Sequence, residues 1–267
     1  MTDFSTLELA IDGPDHAKVA RIWLNRPDLR NAIDDVFIRE LGDAVLQAEA
    51  ATGVRAVVLG ARGPAFCAGA NLNWMKRAAE YTHEQNLQDA AGLPRMLRTL
   101  EQSRLPVIAR IQGDVYAGGM GLVSVCDVAI AVGTANFCLS EVKIGLIPAT
   151  ISPYVIRAMG ARAAQRYFLT AERFGAAEAH RIGFVHEVVT ADVLDAKVDE
   201  VLKNILAAAP GAVGEAKRLW RDVAGQPITE ALNQETVARI ATLRASDEGR
   251  EGLKSFLEKR KPSWLAR

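Results

Sequence analysis

Two glycine-containing segments of this 267-residue sequence are the strongest candidates for chemistry. The first, residues 63–71, reads GPAFCAGAN, and the second, residues 113–121, reads GDVYAGGMG. Small residues let a ligand approach the backbone closely, and glycine permits dihedral angles that expose an N–H group instead of pairing it within a sheet. Because both segments are apolar for surface turns, they are candidates for recognition of a ligand by backbone groups.

Backbone donors are expected in the second segment because Gly118 and Gly119 stand where a helix is predicted to begin. A helix start presents unpaired N–H groups and the positive end of the helix dipole. One donor from each segment can converge on an oxygen that becomes negative during a reaction, which is an oxyanion hole. Spacing alone leaves open a second interpretation, in which both segments are tight turns between packed elements. A nucleotide phosphate loop is not indicated, because the required Lys and Ser or Thr do not follow the glycines.

The elements that position these segments follow an α/β pattern, in which short β-rich runs alternate with amphipathic stretches. Helices are predicted from Asp34 or Asp35 to residue 50 and over residues 83–101. Strands are predicted at residues 7–11, 18–24, 55–59, 107–111, 128–132, 136–139 and 184–189.

Helical patterns dominate after residue 153, and Gly160 and Gly183 are predicted to end helices. Four further helices are predicted at residues 191–208, 213–223, 228–245 and 247–259. The sequence therefore predicts a core domain over residues 1–208, followed by a helical region over residues 209–267.

Composition narrows the class of function. With 32 basic and 32 acidic residues the net charge is zero, so no overall field favours nucleic acid or an anionic membrane. Neither a signal peptide nor an apolar run of about 20 residues is recognisable. Three widely spaced cysteines are typical of reduced thiols, and the four scattered histidines lack zinc-site spacing. We expect a cytoplasmic protein with no bound metal and no nucleic-acid or membrane partner.

Three segments resemble the crotonase, or enoyl-CoA hydratase/isomerase, family. Residues 66–72 (FCAGANL) are similar to its first oxyanion loop, residues 113–127 (GDVYAGGMGLVSVCD) to its second, and residues 256–262 (FLEKRKP) to its C-terminal signature. The resemblance implies a crotonase fold, which is a spiral of ββα units with a C-terminal helical trimerisation region. It also implies that the N–H groups of Ala68 and Gly118 hold the oxygen of an acyl-coenzyme A thioester while an enolate develops.

Hydratases of this family usually hold one water between two glutamates, at the positions occupied here by Gly121 and Glu141. Glu141 follows a predicted strand and precedes an apolar run, so partial burial is expected to raise its pKa and suit it to proton transfer. A single carboxyl group still permits hydration, in which it protonates the α-carbon while water attacks the β-carbon. It equally permits isomerisation of a double bond. The resemblance also places Gly121 beside the substrate.

A finer resemblance favours hydration. Residues 72–75 (LNWM) and 139–146 (LSEVKIGL) are similar to bacterial methylglutaconyl-CoA hydratases, a branch that also carries glycine in place of the second glutamate. The substrate of this branch has a second carboxylate, which we expect Lys143 or Lys76 to pair with. Trp74 is expected to line the substrate site.

Contacts with coenzyme A are also implied by the resemblance. Residues 25–32 are similar to the family loop that meets the adenine and phosphates, where Arg26 or Arg30 can supply positive charge. Further predicted contacts are the backbone groups of Ala68, Asn71 and Leu72, and the side chain of Lys261. No separate cofactor is expected, because coenzyme A is part of the substrate.

The sequence thus predicts an enoyl-CoA hydratase acting on 3-methylglutaconyl-CoA or a related branched acyl-CoA. The resemblance further implies a homotrimer or a hexamer. The alternatives that stay open are a double-bond isomerase and a catalytically silent protein that binds acyl-CoA.

Overall fold

Four successive units of two strands and following helices build the first 170 residues of the structure, a computed structural model that describes residues 4–265. The units are β1 (Leu7–Asp12), β2 (Lys18–Leu24) and α1 (Asp35–Ala50); β3 (Val54–Ala61), β4 (Ala65–Cys67), α2 (Leu72–Ala78), α3 (His83–Ala90) and α4 (Gly92–Gln102); β5 (Val107–Ile111), β6 (Asp114–Tyr116) and α5 (Gly118–Ser124); β7 (Val128–Val132), β8 (Asn136–Cys138), α6 (Ser152–Met159) and α7 (Ala161–Thr170).

The remaining chain is mainly helical. It contains β9 (Phe174–Gly175), α8 (Ala176–Arg181), β10 (Glu187–Val189), α9 (Leu194–Ala207), α10 (Pro210–Val223), α11 (Glu230–Ala245) and α12 (Asp247–Leu257). Short 3-10 helices lie at Pro27–Leu29, Glu141–Ile144, Ala191–Val193 and Ser263–Leu265.

The strands form two sheets. The large sheet has the order β1-β2-β3-β5-β7-β10, in which only the β1–β2 pair is antiparallel. The small sheet has the order β4-β6-β8-β9, and β4, β6 and β8 run parallel. In the last three units the first strand enters the large sheet and the second enters the small one. The carboxyl ends of β4, β6 and β8 therefore meet at one edge, where the two glycine segments lie.

The core follows from the apolar patterns of these elements. All eight residues of β3 are buried, as is typical of a parallel strand covered on both faces. α1 buries Phe37, Leu41 and Val45 on one stripe, and it begins where the Asp34 carboxylate accepts a hydrogen bond from the Phe37 N–H at 3.0 Å. The predicted α/β class and the predicted helix over residues 35–50 are confirmed.

Some elements differ from the prediction. The predicted helix over residues 83–101 is wrong as a single element, because the chain breaks into α3 and α4 at Ala91. β4, β6 and β9 were not predicted; each has two or three residues, too few to show an alternating pattern.

The last three helices are more exposed than the rest. Beyond Pro210, among the residues that the structure describes, only Ser255 is buried. Phe256 and Leu257 are 80% and 78% exposed, so this region presents apolar surface. Within residues 4–265, no helix combines the length and apolar character that a membrane crossing requires.

Candidate active site

The first glycine segment contributes a different donor from the predicted one. The N–H of Ala68 donates to the carbonyl of Arg30 at 3.0 Å. That bond uses the only hydrogen of this amide, so the prediction that the Ala68 N–H holds a substrate oxygen is wrong. The predicted contact of coenzyme A with the other backbone groups of Ala68 stays a prediction.

The amide of Ala70 is the available donor of this segment. Residues 69–71 form a parallel bridge with Ile33: the Ile33 N–H donates to Gly69, and the Asn71 N–H donates to Ile33, at 2.7 and 2.8 Å. In a parallel bridge the residue opposite, Ala70, directs its own N–H away from the partner strand. Within the described chain this N–H has no backbone acceptor.

The second segment contains Gly118, which begins a helix as predicted from the sequence. Gly118 is the first residue of α5, so its N–H has no acceptor within the helix. The preceding residue, Ala117, has φ 47° and ψ −117°, a left-handed region that is unfavourable for any residue with a Cβ atom. The Ala117 N–H is fixed by the carbonyl of Cys138 at 2.8 Å. The ψ angle of Ala117 sets the orientation of the next peptide, whose N–H is that of Gly118.

The two segments pack directly against each other. A Cβ atom built on Gly69 would lie 2.9 Å from the Cβ of Ala117, and one built on Gly119 would lie 2.8 Å from the Cβ of Cys67. Such distances are below van der Waals contact, so glycine is required at both positions for the backbones to approach. The flanking donors of Ala70 and Gly118 are thereby brought to the same edge of the small sheet.

Glu141 begins the 3-10 helix that follows β8, three residues after Cys138. Its Oε2 atom is buried and has no hydrogen-bond partner among residues 4–265. Burial is the main cause that raises the pKa of this carboxyl above its ordinary value, and only its own backbone N–H acts in the other direction. The raised pKa suits the Glu141 carboxyl to proton transfer.

Gly121 lies one turn of α5 beyond Gly118 and is buried. A Cβ atom there would overlap Ile151 Cγ2 and lie 3.0 Å from Ile151 Cβ and 3.4 Å from Leu97 Cδ1. Ile151, which the sequence did not single out, thus covers the face of Gly121. The sequence around Ile151 does not single it out, because its contact with Gly121 joins residues thirty positions apart.

Arg26 has a structural role that contradicts its predicted contact with coenzyme A. Its guanidinium is 17% exposed, donates from Nη1 to Asp34 Oδ2 at 2.6 Å, and also donates to the carbonyl of Ala32. Asp34 neutralises the charge of Arg26 and caps α1. The backbone of Asn71 is likewise occupied, because its N–H donates to Ile33 and its carbonyl accepts from Met75. The Asn71 N–H is therefore not available to coenzyme A, whereas a contact with its carbonyl oxygen, which has a second lone pair, stays a prediction.

Three other predicted coenzyme A contacts remain available. Arg30 is exposed and in the left-handed conformation, and its guanidinium has no partner within residues 4–265. Leu72 is 74% exposed and begins α2, so its N–H is not used within the helix. Lys261 is exposed near the end of the chain. Leu72 lies two residues after the Ala70 donor, and Lys261 follows α12 in the helical region.

The side chains predicted to bind the substrate lie on two elements, the 3-10 helix that contains Glu141 and α2. Lys143 is exposed in the same 3-10 helix as Glu141, and its charge reaches Cys138, where it lowers the thiol pKa that burial raises. Lys76 is exposed in the last turn of α2. Trp74 donates its indole N–H to Asp89 at 2.9 Å and lines a groove between α1 and α4. Its predicted contact with the substrate stays a prediction.

Two backbone donors and one protonatable carboxyl group thus lie at the ends of adjacent parallel strands. Donors aimed at one carbonyl oxygen stabilise the enolate formed from a thioester, and the carboxyl group can deliver or remove a proton at the α-carbon. No cluster of three or more potential metal ligands occurs in the part of the chain that the structure describes.

The sequence and the fold of this chain are similar to those of known proteins. The profile of the enoyl-CoA hydratase/isomerase family matches residues 15–267. Enoyl-CoA hydratase ACTT6 of Alternaria alternata is 34% identical over 206 residues, which cover 77% of this chain and 67% of that protein. A solved enoyl-CoA hydratase from Shewanella pealeana is 41% identical with a TM-score of 0.93, covering 98% of this chain and 96% of that one. Another, from Mycobacterium smegmatis, is 32% identical with a TM-score of 0.89, covering 96% and 98%.

Proposed function

The chain belongs to the enoyl-CoA hydratase/isomerase family, and we propose that it adds water to a 2-enoyl-coenzyme A thioester through a single carboxyl group, Glu141. The resemblance to crotonases in sequence is thus extended to the α/β fold, which the solved relatives share. The observation that supports the proposal is the buried Oε2 of Glu141, which has no hydrogen-bond partner among residues 4–265 and lies at the sheet edge that the donors of Ala70 and Gly118 also follow.

In this proposal the thioester oxygen accepts hydrogen bonds from the N–H groups of Ala70 and Gly118. Addition of water at C3 moves the π electrons towards C1 and places negative charge on that oxygen, where the two donors stabilise it. Glu141 then transfers its proton to C2. The proton released by the water restores the carboxyl group, so the net change is one hydrogen on C2 and one hydroxyl on C3. By the general magnitude for one such donor, each N–H contributes about 3 kcal/mol.

We further propose 3-methylglutaconyl-CoA, or a related branched acyl-CoA, as the substrate. The segments around Trp74 and Glu141 that resemble methylglutaconyl-CoA hydratases support this choice. Lys143 supports it as well, because it is exposed, lies two residues from Glu141, and has no anionic partner among the described residues. Replacement of Lys143 by Met should raise KM for the dicarboxylic substrate much more than KM for crotonyl-CoA, and equal effects would remove Lys143 from this role.

A double-bond isomerase is the second candidate, favoured by one specific observation. Ile151 covers Gly121, so α5 offers no second carboxylate to activate water. An isomerase needs only one carboxyl group, which carries a proton between two carbons of an enolate.

Absorbance of the conjugated enoyl thioester distinguishes the candidates. Wild type, Glu141→Gln and the control Glu200→Gln, an exposed carboxylate on α9, would be assayed with crotonyl-CoA, 3-methylglutaconyl-CoA and a 3-enoyl-CoA. We expect Glu141→Gln to lose about 10²–10⁴-fold in hydration, the range for a general acid or base, and the control to lose nothing. Turnover of only the 3-enoyl substrate would select the isomerase. Tight binding without any turnover would select the silent acyl-CoA-binding protein.

Assembly and location form part of the same proposal. Exposed apolar side chains on α11 and α12, including Val237, Phe256 and Leu257, support burial between subunits of a homotrimer or hexamer. The free and buried cysteines support a reducing compartment, the cytoplasm. Light scattering on the purified protein would give the number of subunits, and a monomer at micromolar concentration would contradict the proposed assembly.

A further inference from the structure

One face of α5 runs from the oxyanion donor into an aliphatic wall. Gly118 and Gly121 are three residues apart, so they share a face and are separated by about 4.5 Å along the helix axis. Cβ atoms built on the two glycines would meet Leu93 and Leu97, which lie one turn apart on α4. A thioester whose oxygen is held at Gly118 therefore has its next carbons beside this wall.

Ile151 packs against Gly121 and extends this aliphatic wall. Ile151 is 2% exposed, and its Cβ and Cγ2 atoms occupy the space that a side chain at position 121 would need. Not even a methyl group fits there without displacement of Ile151. This turn of α5 therefore provides neither a carboxylate nor a polar cavity for a water molecule.

Hydration requires two proton transfers, because C2 gains a proton while the attacking water loses one. Glu141 can supply the first. The pKa of its carboxyl is raised by burial, and no other ionisable group among residues 4–265 contributes to the shift. A single carboxyl group that gives its proton to C2 cannot accept the proton of the water in the same step. The chain thus provides an acid for C2, but its described residues place no evident base for the water.

We propose that the substrate supplies this base, through a carboxymethyl group on C3. The inference rests on the proposed hydratase function and specifies the substrate class, a 2-enoyl-CoA with a carboxylate one methylene away from C3. Such a carboxylate can hold a water whose oxygen attacks C3, in a cyclic arrangement of six atoms. Lys143, exposed in the same 3-10 helix as Glu141, is a cation that can orient the carboxylate.

Each bond that forms in this step is matched by one that breaks. The water oxygen forms a bond to C3, one O–H bond of the water breaks, and its proton moves to the substrate carboxylate. The C2–C3 π bond opens, and C2 forms a bond to the proton of Glu141. Solvent then returns the proton from the substrate carboxyl group to Glu141. The product and the final state of the enzyme are therefore the same as in simple hydration. The position of Ile151 favours this role for the substrate, because it removes the place on α5 where the protein could carry a base.

The test compares two substrates that differ only in the proposed base: 3-methylglutaconyl-CoA and its analogue with a primary amide in place of the terminal carboxylate. We expect wild-type kcat for the amide to fall by about 10²-fold or more, the range for loss of a general base. A carboxylate that served only for binding would change KM and leave kcat unaltered. Equal kcat for acid and amide would therefore overturn the inference while leaving the proposed hydratase intact.

A variant that restores a base in the protein provides an independent test. Gly121→Glu combined with Ile151→Ala places a carboxylate on the α5 face and removes the side chain that blocks it. We expect this pair to raise kcat for the amide at least about 10-fold, whereas the control Ile151→Ala alone, which opens space without a base, should not. If the pair does not fold, the comparison of substrates on wild type decides alone. Hydration of neither substrate, with isomerisation of a 3-enoyl-CoA, would overturn both the inference and the proposed function.

Discussion

Replacement of Ala117 by Gly tests whether backbone strain positions the oxyanion donor. Ala117 has φ 47° and ψ −117°, and the cost of such a conformation for a residue with a Cβ atom is about 1–3 kcal/mol. Glycine adopts it freely, but its greater freedom in the unfolded chain costs about 0.4–1 kcal/mol. Subtraction predicts a free energy of unfolding that is unchanged or higher by up to about 2.6 kcal/mol. At an unstrained position the same change would lower it.

Activity should respond in the opposite direction. In the variant, the peptide between Ala117 and Gly118 is no longer restricted to the conformation that directs the Gly118 N–H. We expect kcat to fall, by no more than about 10²–10³-fold, which is the effect of losing one oxyanion donor, and KM to change little.

The control is Ala171→Gly, the same substitution at another positive φ of 46°, at the end of α7. It should raise stability with no change in kcat. Urea denaturation and steady-state kinetics on both variants complete the experiment. If Ala117→Gly lost stability like an ordinary Ala→Gly change and kept its kcat, the reasoning about strain would be refuted.

Three further predictions concern groups whose environment the structure defines. Burial raises the pKa of Glu141, so between the ordinary carboxyl pKa and the raised value the folded protein binds more protons than the unfolded chain. The free energy of unfolding of wild type should therefore fall relative to that of Glu141→Gln as pH rises through this window. Urea titrations of both proteins at about pH 4 and about pH 8 should give similar stabilities only at the acidic pH. A difference in stability that does not depend on pH would contradict the burial argument. Asp34→Ala removes the N-cap of α1 and the counter-charge of Arg26, so thermal denaturation should show a loss above the ~1 kcal/mol typical of a cap alone; a loss below about 0.5 kcal/mol would argue against the pair. Asp127 lies 2.7 Å from the ammonium of Lys217, whose side chain is 7% exposed. Asp127→Asn leaves this buried ammonium without its counter-charge and should destabilise the protein by about 3–5 kcal/mol in urea titrations, whereas Lys217→Met should cost less. A larger loss for Lys217→Met would contradict this reasoning.

The large sheet and α1 could be predicted from sequence because their signals are local. The strands over residues 18–24, 107–111 and 128–132 are apolar runs of five to seven residues, and their predicted bounds agree with β2, β5 and β7. α1 combines an apolar stripe with a capping aspartate. The small sheet could not be predicted in the same way, because strands of two or three residues are stabilised by partners far along the chain.

The site was predictable only in part for the same reason. Gly118 follows from the expectation of a helix start, and the burial of Glu141 follows from its apolar surroundings. Which amide of the first segment is free depends on the bridge between Ile33 and Ala70, which involves residues 37 positions apart. The nearby sequence shows neither this bridge nor the pairing of Arg26 with Asp34.

The central claim is that the amides of Ala70 and Gly118 hold the thioester oxygen. A crystal structure with butyryl-CoA, which has no double bond to hydrate, tests it most directly. We predict that both nitrogen atoms lie about 2.7–3.1 Å from the thioester oxygen, while the Ala68 N–H still donates to the carbonyl of Arg30. A thioester oxygen bound by the Ala68 amide, or by neither segment, would contradict the claim.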